Sequence, residues 1–216
     1  MAPKYELVYF NIRGLAEMAR LLLTDQNIEF KNTLVPVEGD REEWMKMKKN
    51  FVFGQIPCLL EDGKEIVQTG AIMRHFARVH NLGGDSECEK TFADMFFEGV
   101  RDLHSKYVTL IYQEYDVPGK KEAFLGTTLP AALAQLEKLF KTHDNGEHFV
   151  LGKKISYADY ALFEELDIMQ ILDGHVLDNF AVLKAFHKRM SERPNLKKYI
   201  EKREASRMWV NGNGKQ

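Results

Sequence analysis

The chain has 216 residues, 44% hydrophobic and 29% charged, and its 30 Lys+Arg against 32 Asp+Glu leave a formal net charge of -2. That apolar share fills a sizeable core and excludes wholesale disorder. The near balance of charge excludes a polyanion-coating surface, so no nucleic acid is expected as a partner. Two cysteines, Cys58 and Cys88, are too few for a disulfide framework or a Cys-rich zinc site and suit a reducing, intracellular setting. The N-terminal apolar run is only Leu7 to Phe10, which is no signal peptide. Nowhere do about 18 apolar residues follow one another, so a soluble chain with no membrane partner is expected.

In chain order, Tyr5–Phe10 (YELVYF) reads as a buried strand broken by Gly14. Leu15–Gln26 follows with apolar residues at helical spacing, Leu15, Ala19, Leu22 and Leu23. Ile28–Val35 alternates as a strand until Pro36, and the polar stretch from Gly39 to Asn50 suits a short surface helix. Cys58–Leu60 and Glu65–Val67 are brief strands joined by Asp62-Gly63, a short-range hairpin signal. Gln68–His80 returns to helical spacing through Ile72, Phe76 and Val79. The order predicts an α/β unit with a mixed sheet.

Asn81–Glu89 interrupts the pattern with two glycines and several acids and reads as a linker. Beyond it, Phe92, Phe96, Val100, Leu103, Tyr107 and Ile111 trace one face of a long helix. Glu122–Lys141, Ser156–Leu172, Ala181–Ser191 and Asn195–Ala205 predict four more. Ser156 and Asp159, three apart ahead of an apolar run, form a capping-box pattern that serves folding rather than chemistry. The domains expected are 1–80, a linker 81–89, a helical domain 90–207 and an extended or mobile tail 208–216.

Familiar catalytic motifs are absent: no GxGxxG, Walker loop, HExxH or G-x-S-x-G occurs, and the histidines do not cluster. In open α/β sheets ligands bind beyond the carboxyl ends of strands, beside helix N-termini that favour anions. Tyr9 sits at such an end, followed by Asn11, Ile12, Arg13 and Gly14; a strand tyrosine is otherwise a core residue. Ile56-Pro57 immediately precedes an apolar strand, where proline is ordinarily unwelcome. A cis bond there leaves the Ile56 backbone to pair with an extended, peptide-like ligand. Cys58 tempts a redox reading, but the turn after the first strand holds neither cysteine nor C-x-x-C. It is expected as a small buried hydrophobe.

The strings from Tyr9 to Glu17 (YFNIRGLAE), Phe53 to Pro57 (FGQIP) and Gln68 to Ile72 (QTGAI) resemble the cytosolic glutathione transferases in order and spacing. The helical half continues the likeness with Asp94-Met95, the run from Gly99 to Leu103 and the run from Ser156 to Tyr160. The ending VNGNGKQ and the total length look like the pi class, and YADYALFEELD looks like the pi-like enzymes of nematodes. The resemblance implies a thioredoxin-like α/β N-terminal domain (βαβαββα), an all-α C-terminal domain and a cytoplasmic homodimer. It implies conjugation of glutathione, as co-substrate, to hydrophobic electrophiles in detoxification, with no tightly bound cofactor and no metal.

By the same resemblance Tyr9 is catalytic. A tyrosine phenol, with a reference pKa of about 10, donates to the glutathione sulfur and favours its thiolate. Ile56, ahead of Pro57, pairs by its main chain with the cysteinyl part. Gln68 and Thr69 hold the γ-glutamyl carboxylate, and Trp44, Lys48 and Gln55 meet the glycyl end. Asp102 reaches the γ-glutamyl ammonium from a partner subunit. Phe10, Ile12 and Tyr112 line the hydrophobic substrate site, with Phe10 equally readable as an inward core ring. Phe53 is expected to plug a partner pocket made by Met95, Phe96 and Gly99. Two departures stand out: Leu15 occupies a position where many pi enzymes have arginine, and Thr69 replaces the usual serine. A thiol-disulfide oxidoreductase on the same fold and a non-catalytic structural or ligand-carrying relative stay open as alternatives.

Overall fold

The computed structural model describes residues 4–37 and 41–215. Gly39 and Asp40, where the predicted surface helix begins, and Gln216 of the tail lie outside them. In chain order the elements are β1 (Tyr5–Phe10), α1 (Glu17–Asp25), β2 (Phe30–Val35), α2 (Arg41–Lys48), β3 (Cys58–Glu61), β4 (Lys64–Val67) and α3 (Thr69–Val79). The helical part follows as α4 (Glu87–Thr109), α5 (Lys120–Ala123), α6 (Leu129–Phe140), α7 (Tyr157–Leu172), α8 (Ala181–Ser191) and α9 (Pro194–Ala205). They form two compact units, the described residues up to Phe76 with Arg193–Lys215, and Ala77–Glu192.

The first unit is a four-stranded sheet in the order β2-β1-β3-β4. β1 pairs parallel with β2, from Tyr5↔Phe30 to Phe10↔Val35, and antiparallel with β3, while β3 and β4 form the hairpin. A central strand covered on both faces reads as a near-continuous apolar run, and in β1 Leu7, Val8 and Tyr9 are all buried. Asp62 (φ 49) and Gly63 (φ 77) supply the two left-handed residues that a tight hairpin needs. β2 begins two residues later than the alternation suggests. Asn27 turns left-handed (φ 53), and the Ile28 N–H closes α1 by bonding to the Leu23 carbonyl at 2.8 Å.

From sequence order α9 belongs with the helical half, and the tail is extended or mobile. In the structure both belong to the first unit. Arg193 binds the Asp25 carboxylate at 2.8 Å, and Arg203 and Tyr199 each reach Glu17 at 3.0 Å. The tail is tied as well, because Trp209 and Val210 accept the Arg13 and Gly14 N–H groups at 2.8 and 3.1 Å. These contacts span more than 160 residues of sequence, which no local pattern reports.

In the second unit α4 opens on a capping box: Glu89 N–H bonds to Ser86 Oγ at 3.2 Å and Ser86 N–H to the Glu89 carboxylate at 2.9 Å. α4 runs into a π-turn, Leu110–Glu114. The single helix expected over Glu122–Lys141 is α5, a π-turn over Phe124–Thr128, and α6. Pro130 has no N–H to continue an α ladder, so the turn ahead of it opens. α7 is buried on nearly every side and forms the centre of this unit. The Tyr157 ring lies 5.2 Å from Phe97, and its hydroxyl donates to Asp94. No helix among the described residues is long and apolar enough to cross a membrane.

Asp159 fixes the start of α7. It is fully buried, and its carboxylate accepts from the Ser156 N–H (2.7 Å), the Ser156 hydroxyl (2.8 Å) and the Val150 N–H (2.8 Å). Asp159→Ala strands those donors, and we expect a loss of roughly 2–4 kcal/mol. A lower denaturant midpoint, with unchanged specific activity of the folded fraction, is the expected result. Native stability with lost activity would place Asp159 in the chemistry instead.

Candidate functional site

Tyr9 ends β1 with its ring buried at 6% exposure. Its hydroxyl oxygen accepts the Leu15 main-chain N–H at 3.1 Å. A hydroxyl that accepts one hydrogen bond is polarised into a stronger donor of its own proton. Gly14 supports the ring from behind. It is left-handed (φ +43), and a Cβ built on it would lie 2.7 Å from the Tyr9 hydroxyl oxygen. Glycine is therefore required twice, by backbone and by space.

Below this turn lies a buried charge cluster. Arg20, fully buried, donates to the carbonyls of Ile12 (2.7 Å), Phe10 (3.3 Å) and Arg13 (3.4 Å), and to Glu17 at 3.0 Å. Its guanidinium carbon stands 5.8 Å from the centre of the Tyr9 ring. Glu17 also receives Arg203 and the Tyr199 hydroxyl. Burial alone would raise the Glu17 carboxyl, but the charges of Arg20, Arg203 and Arg13 outweigh it and hold the group below its usual range. Burial and the Glu17 charge push the Tyr199 phenol upward.

A second group gathers where β4 meets α3. Gln68 is left-handed (φ 71) and exposed, and its amide donates to the Gln55 side-chain carbonyl at 3.1 Å. Thr69 opens α3, is nearly buried, and its hydroxyl donates to the Leu15 carbonyl at 3.4 Å. Leu15 thus connects Thr69 to Tyr9 through its own peptide groups. The Ile56-Pro57 bond is cis, and Ile56 lies outside the β1–β3 ladder, whose last pair is Val8↔Cys58. Trp44 is half-buried with its ring 5.2 Å from Phe10, and exposed Lys48 lies one helical turn further on. Tyr9, Gln55, Ile56, Gln68 and Thr69 all stand on the edge that carries the carboxyl end of β1. That edge suits an extended peptide with an anionic end near the α3 N-terminus.

Phe10 is half-buried, edge-on to both Tyr9 and Trp44. Ile12 is buried at 4% exposure, and its backbone bridges to Trp209. In the second unit Tyr112 stands 49% exposed on the π-turn, and Asp102 is exposed on α4. Phe53 and Met95 are exposed and Gly99 is half-buried. Phe96 is a correction. It is fully buried between Phe92 and Phe140 and offers no surface to a second chain. Cys58 is also fully buried, and burial beside Glu65 pushes its thiol up to about 11, which leaves no thiolate for redox chemistry at neutral pH.

Glu17, Arg20, Tyr199 and Arg203 carry no sign of function in the sequence. Glu17 and Arg20 share a helix face at spacing three, a detectable signal. Arg203 lies 186 residues from Glu17, which is not.

Residues 5–78 match the family model described as Glutathione S-transferase, N-terminal domain, and residues 101–203 the one described as Glutathione S-transferase, C-terminal domain. Over 212 residues, 98% of the chain and 99% of the relative, it is 53% identical to a glutathione S-transferase of Dirofilaria immitis. It is 54% identical over the same length to glutathione S-transferase 2 of Onchocerca volvulus, again 99% covered. The solved pi-class glutathione S-transferase of Onchocerca volvulus aligns with a TM-score of 0.94 at 53% identity, covering 99% of this chain and 100% of that one. The two-unit fold is thus that of a transferase with a mixed-sheet first domain and a helical second. The chain belongs to the glutathione S-transferase family, on its pi-like side.

Two outcomes test this geometry. Gly14→Ala should displace the Tyr9 hydroxyl and lower conjugation roughly tenfold to a hundredfold, with a folded circular-dichroism spectrum; undiminished turnover would show that the contact is slack. Glu17 sits below its unfolded value of 4.5, so its contribution is fully present above that pH and is lost as pH falls through the folded value. The stability difference between wild type and Glu17→Gln should be about 3–5 kcal/mol at neutral pH. It should narrow below about pH 4.5 in denaturant titrations. A difference that does not vary with pH would mean that Glu17 is not ionised.

Proposed function

We propose that the protein forms the glutathione thiolate with Tyr9 and transfers it to hydrophobic electrophiles, as a cytoplasmic homodimer with a detoxifying role. The observation that carries this reading is the Tyr9 hydroxyl at the end of β1, accepting the Leu15 N–H at 3.1 Å. Its proton is then donated toward the sulfur. A free thiol has a pKa of about 8.5, and a donor aimed at the charged form lowers it. The thiolate attacks an electrophilic carbon, the new S–C bond forms, and the leaving group departs with the bonding electrons. Gln68 and Thr69 hold the γ-glutamyl carboxylate, Ile56 pairs with the cysteinyl backbone, and Trp44, Lys48 and Gln55 meet the glycyl end. The partner subunit contributes its own copy of Asp102. Phe10, Ile12 and Tyr112 face the electrophile. Glutathione enters as co-substrate, with no tightly bound cofactor.

Tyr9→Phe removes one hydrogen bond to an anion, worth about 1.5–3 kcal/mol, or roughly one to two units of thiol pKa. Conjugation at neutral pH should fall about tenfold to a hundredfold and recover as pH rises, while glutathione affinity changes less. Thiolate absorbance against pH checks it directly. An unshifted titration with full activity would make Tyr9 a core residue.

Dimerisation draws support from Val52 and Phe53, adjacent apolar residues that are 70% and 62% exposed. Phe53→Ala should weaken association by about 2 kcal/mol, roughly thirtyfold in Kd, by sedimentation. An unaltered association constant removes this role.

A further inference from the structure

The first unit holds a cavity of about 600 Å³ that the transferase reading does not use. It lies between β2 with the segment after it, and α9 with the tail. Neither Tyr9, Phe10, Ile12 nor any of the residues assigned to glutathione lines it. Its volume is that of a site for a drug-sized molecule.

The floor is rigid. Asn32 is fixed by the Arg20 guanidinium at 3.2 Å, and Tyr199 and Arg203 are fixed by Glu17 at 3.0 Å each. One side is apolar, built from Leu34, Pro36, Val37, Met208 and Trp209. Leu34 and Trp209 remain 40% and 39% exposed, so this surface is open to an occupant. The rim is cationic. Lys202 and Arg207 are exposed and, among the described residues, neither makes an ion pair, while no carboxylate joins the lining. In a chain of net charge -2, a pocket with cations and no lining acid is a local inversion of sign. Burying an apolar body against Leu34 and Trp209 is favourable by area, and an indole face accepts a flat ring by stacking. An anionic group at one end would meet Lys202 and Arg207.

We infer that this cavity is a second binding site, for an amphipathic organic anion: a flat apolar body bearing a carboxylate or sulfonate. The occupant is in register with the catalytic turn. Trp209 bridges to Ile12 and accepts the Arg13 N–H, and the next residue, Val210, accepts the Gly14 N–H. Gly14 in turn backs Tyr9. Occupancy should therefore lower conjugation without competing with either substrate, a consequence that rests on the proposed role of Tyr9. Binding itself does not.

The test titrates 8-anilinonaphthalene-1-sulfonate into the full chain saturated with S-hexylglutathione, which fills the transferase site. One probe per chain is expected to bind. Charge reversal of both rim cations, Lys202→Glu with Arg207→Glu, should raise its Kd at least tenfold. Leu34→Glu on the opposite side should do the same. The uncharged N-phenyl-1-naphthylamine should bind wild type at least tenfold more weakly. Retention on immobilised glutathione and a conjugation assay on the same preparations report folding and the transferase site separately. Displacement of the probe by S-hexylglutathione, a Kd unmoved by charge reversal in retained protein, or equal binding of the uncharged analogue overturns the proposal.

Discussion

The first unit depends on one buried carboxylate. Glu17 is fully enclosed, and it binds Arg20 of its own helix and both Arg203 and Tyr199 of α9. Burying several charges yields little net stability over an apolar core, since desolvation offsets attraction. What such a cluster supplies is geometry, because every member must find its partner or be stranded at several kcal/mol. It settles where α9 lies and, through the Arg20 contacts to three successive loop carbonyls near β1, what path the chain takes from Phe10 to Arg13.

That path sets the chemistry. The cluster lies below the turn, the tail holds it through Trp209 and Val210, and Thr69 reaches Leu15 from α3. A hydroxyl oxygen that must meet a sulfur within hydrogen-bond distance tolerates little positional error. Here the Tyr9 side chain is hemmed in by Gly14 behind it, Leu15 at its oxygen and the Phe10 ring at its edge. Rigidity of the site comes from residues that touch no substrate.

Much of this was legible in the sequence. Apolar runs and Gly, Pro and Asp-Gly breaks place β1, the β3–β4 hairpin, α3, α7 and α8 close to where they lie, because these elements bury a face and carry its period. The capping box at Ser156 was legible for the same local reason. Two things were not. The π-turns at Leu110 and Phe124 keep a helical apolar spacing, so periodicity cannot separate them from α-helix. The return of α9 to the first unit depends on ion pairs between charged residues that look, singly, like solvated surface. Phe96 misled in the opposite direction. Its neighbour Met95 is exposed, but a one-residue step on a helix turns the side chain by about 100°, which here buries Phe96.

The two departures from the pi-like pattern, Leu15 and Thr69, acquire a physical meaning from the same geometry. Leu15 contributes to the Tyr9 turn through its peptide groups: the N–H binds the phenol oxygen and the carbonyl accepts from Thr69. The side chain at that position takes part in neither bond, so exchanging an arginine for leucine removes a cation from the site without loosening Tyr9. Thr69 keeps the hydroxyl that reaches Leu15, and its added methyl sits on a residue already 7% exposed at the start of a helix. A β-branched residue there also has fewer rotamers to lose than serine. Both substitutions therefore leave the positioning of the phenol untouched and act, where they act, on how strongly the peptide is held.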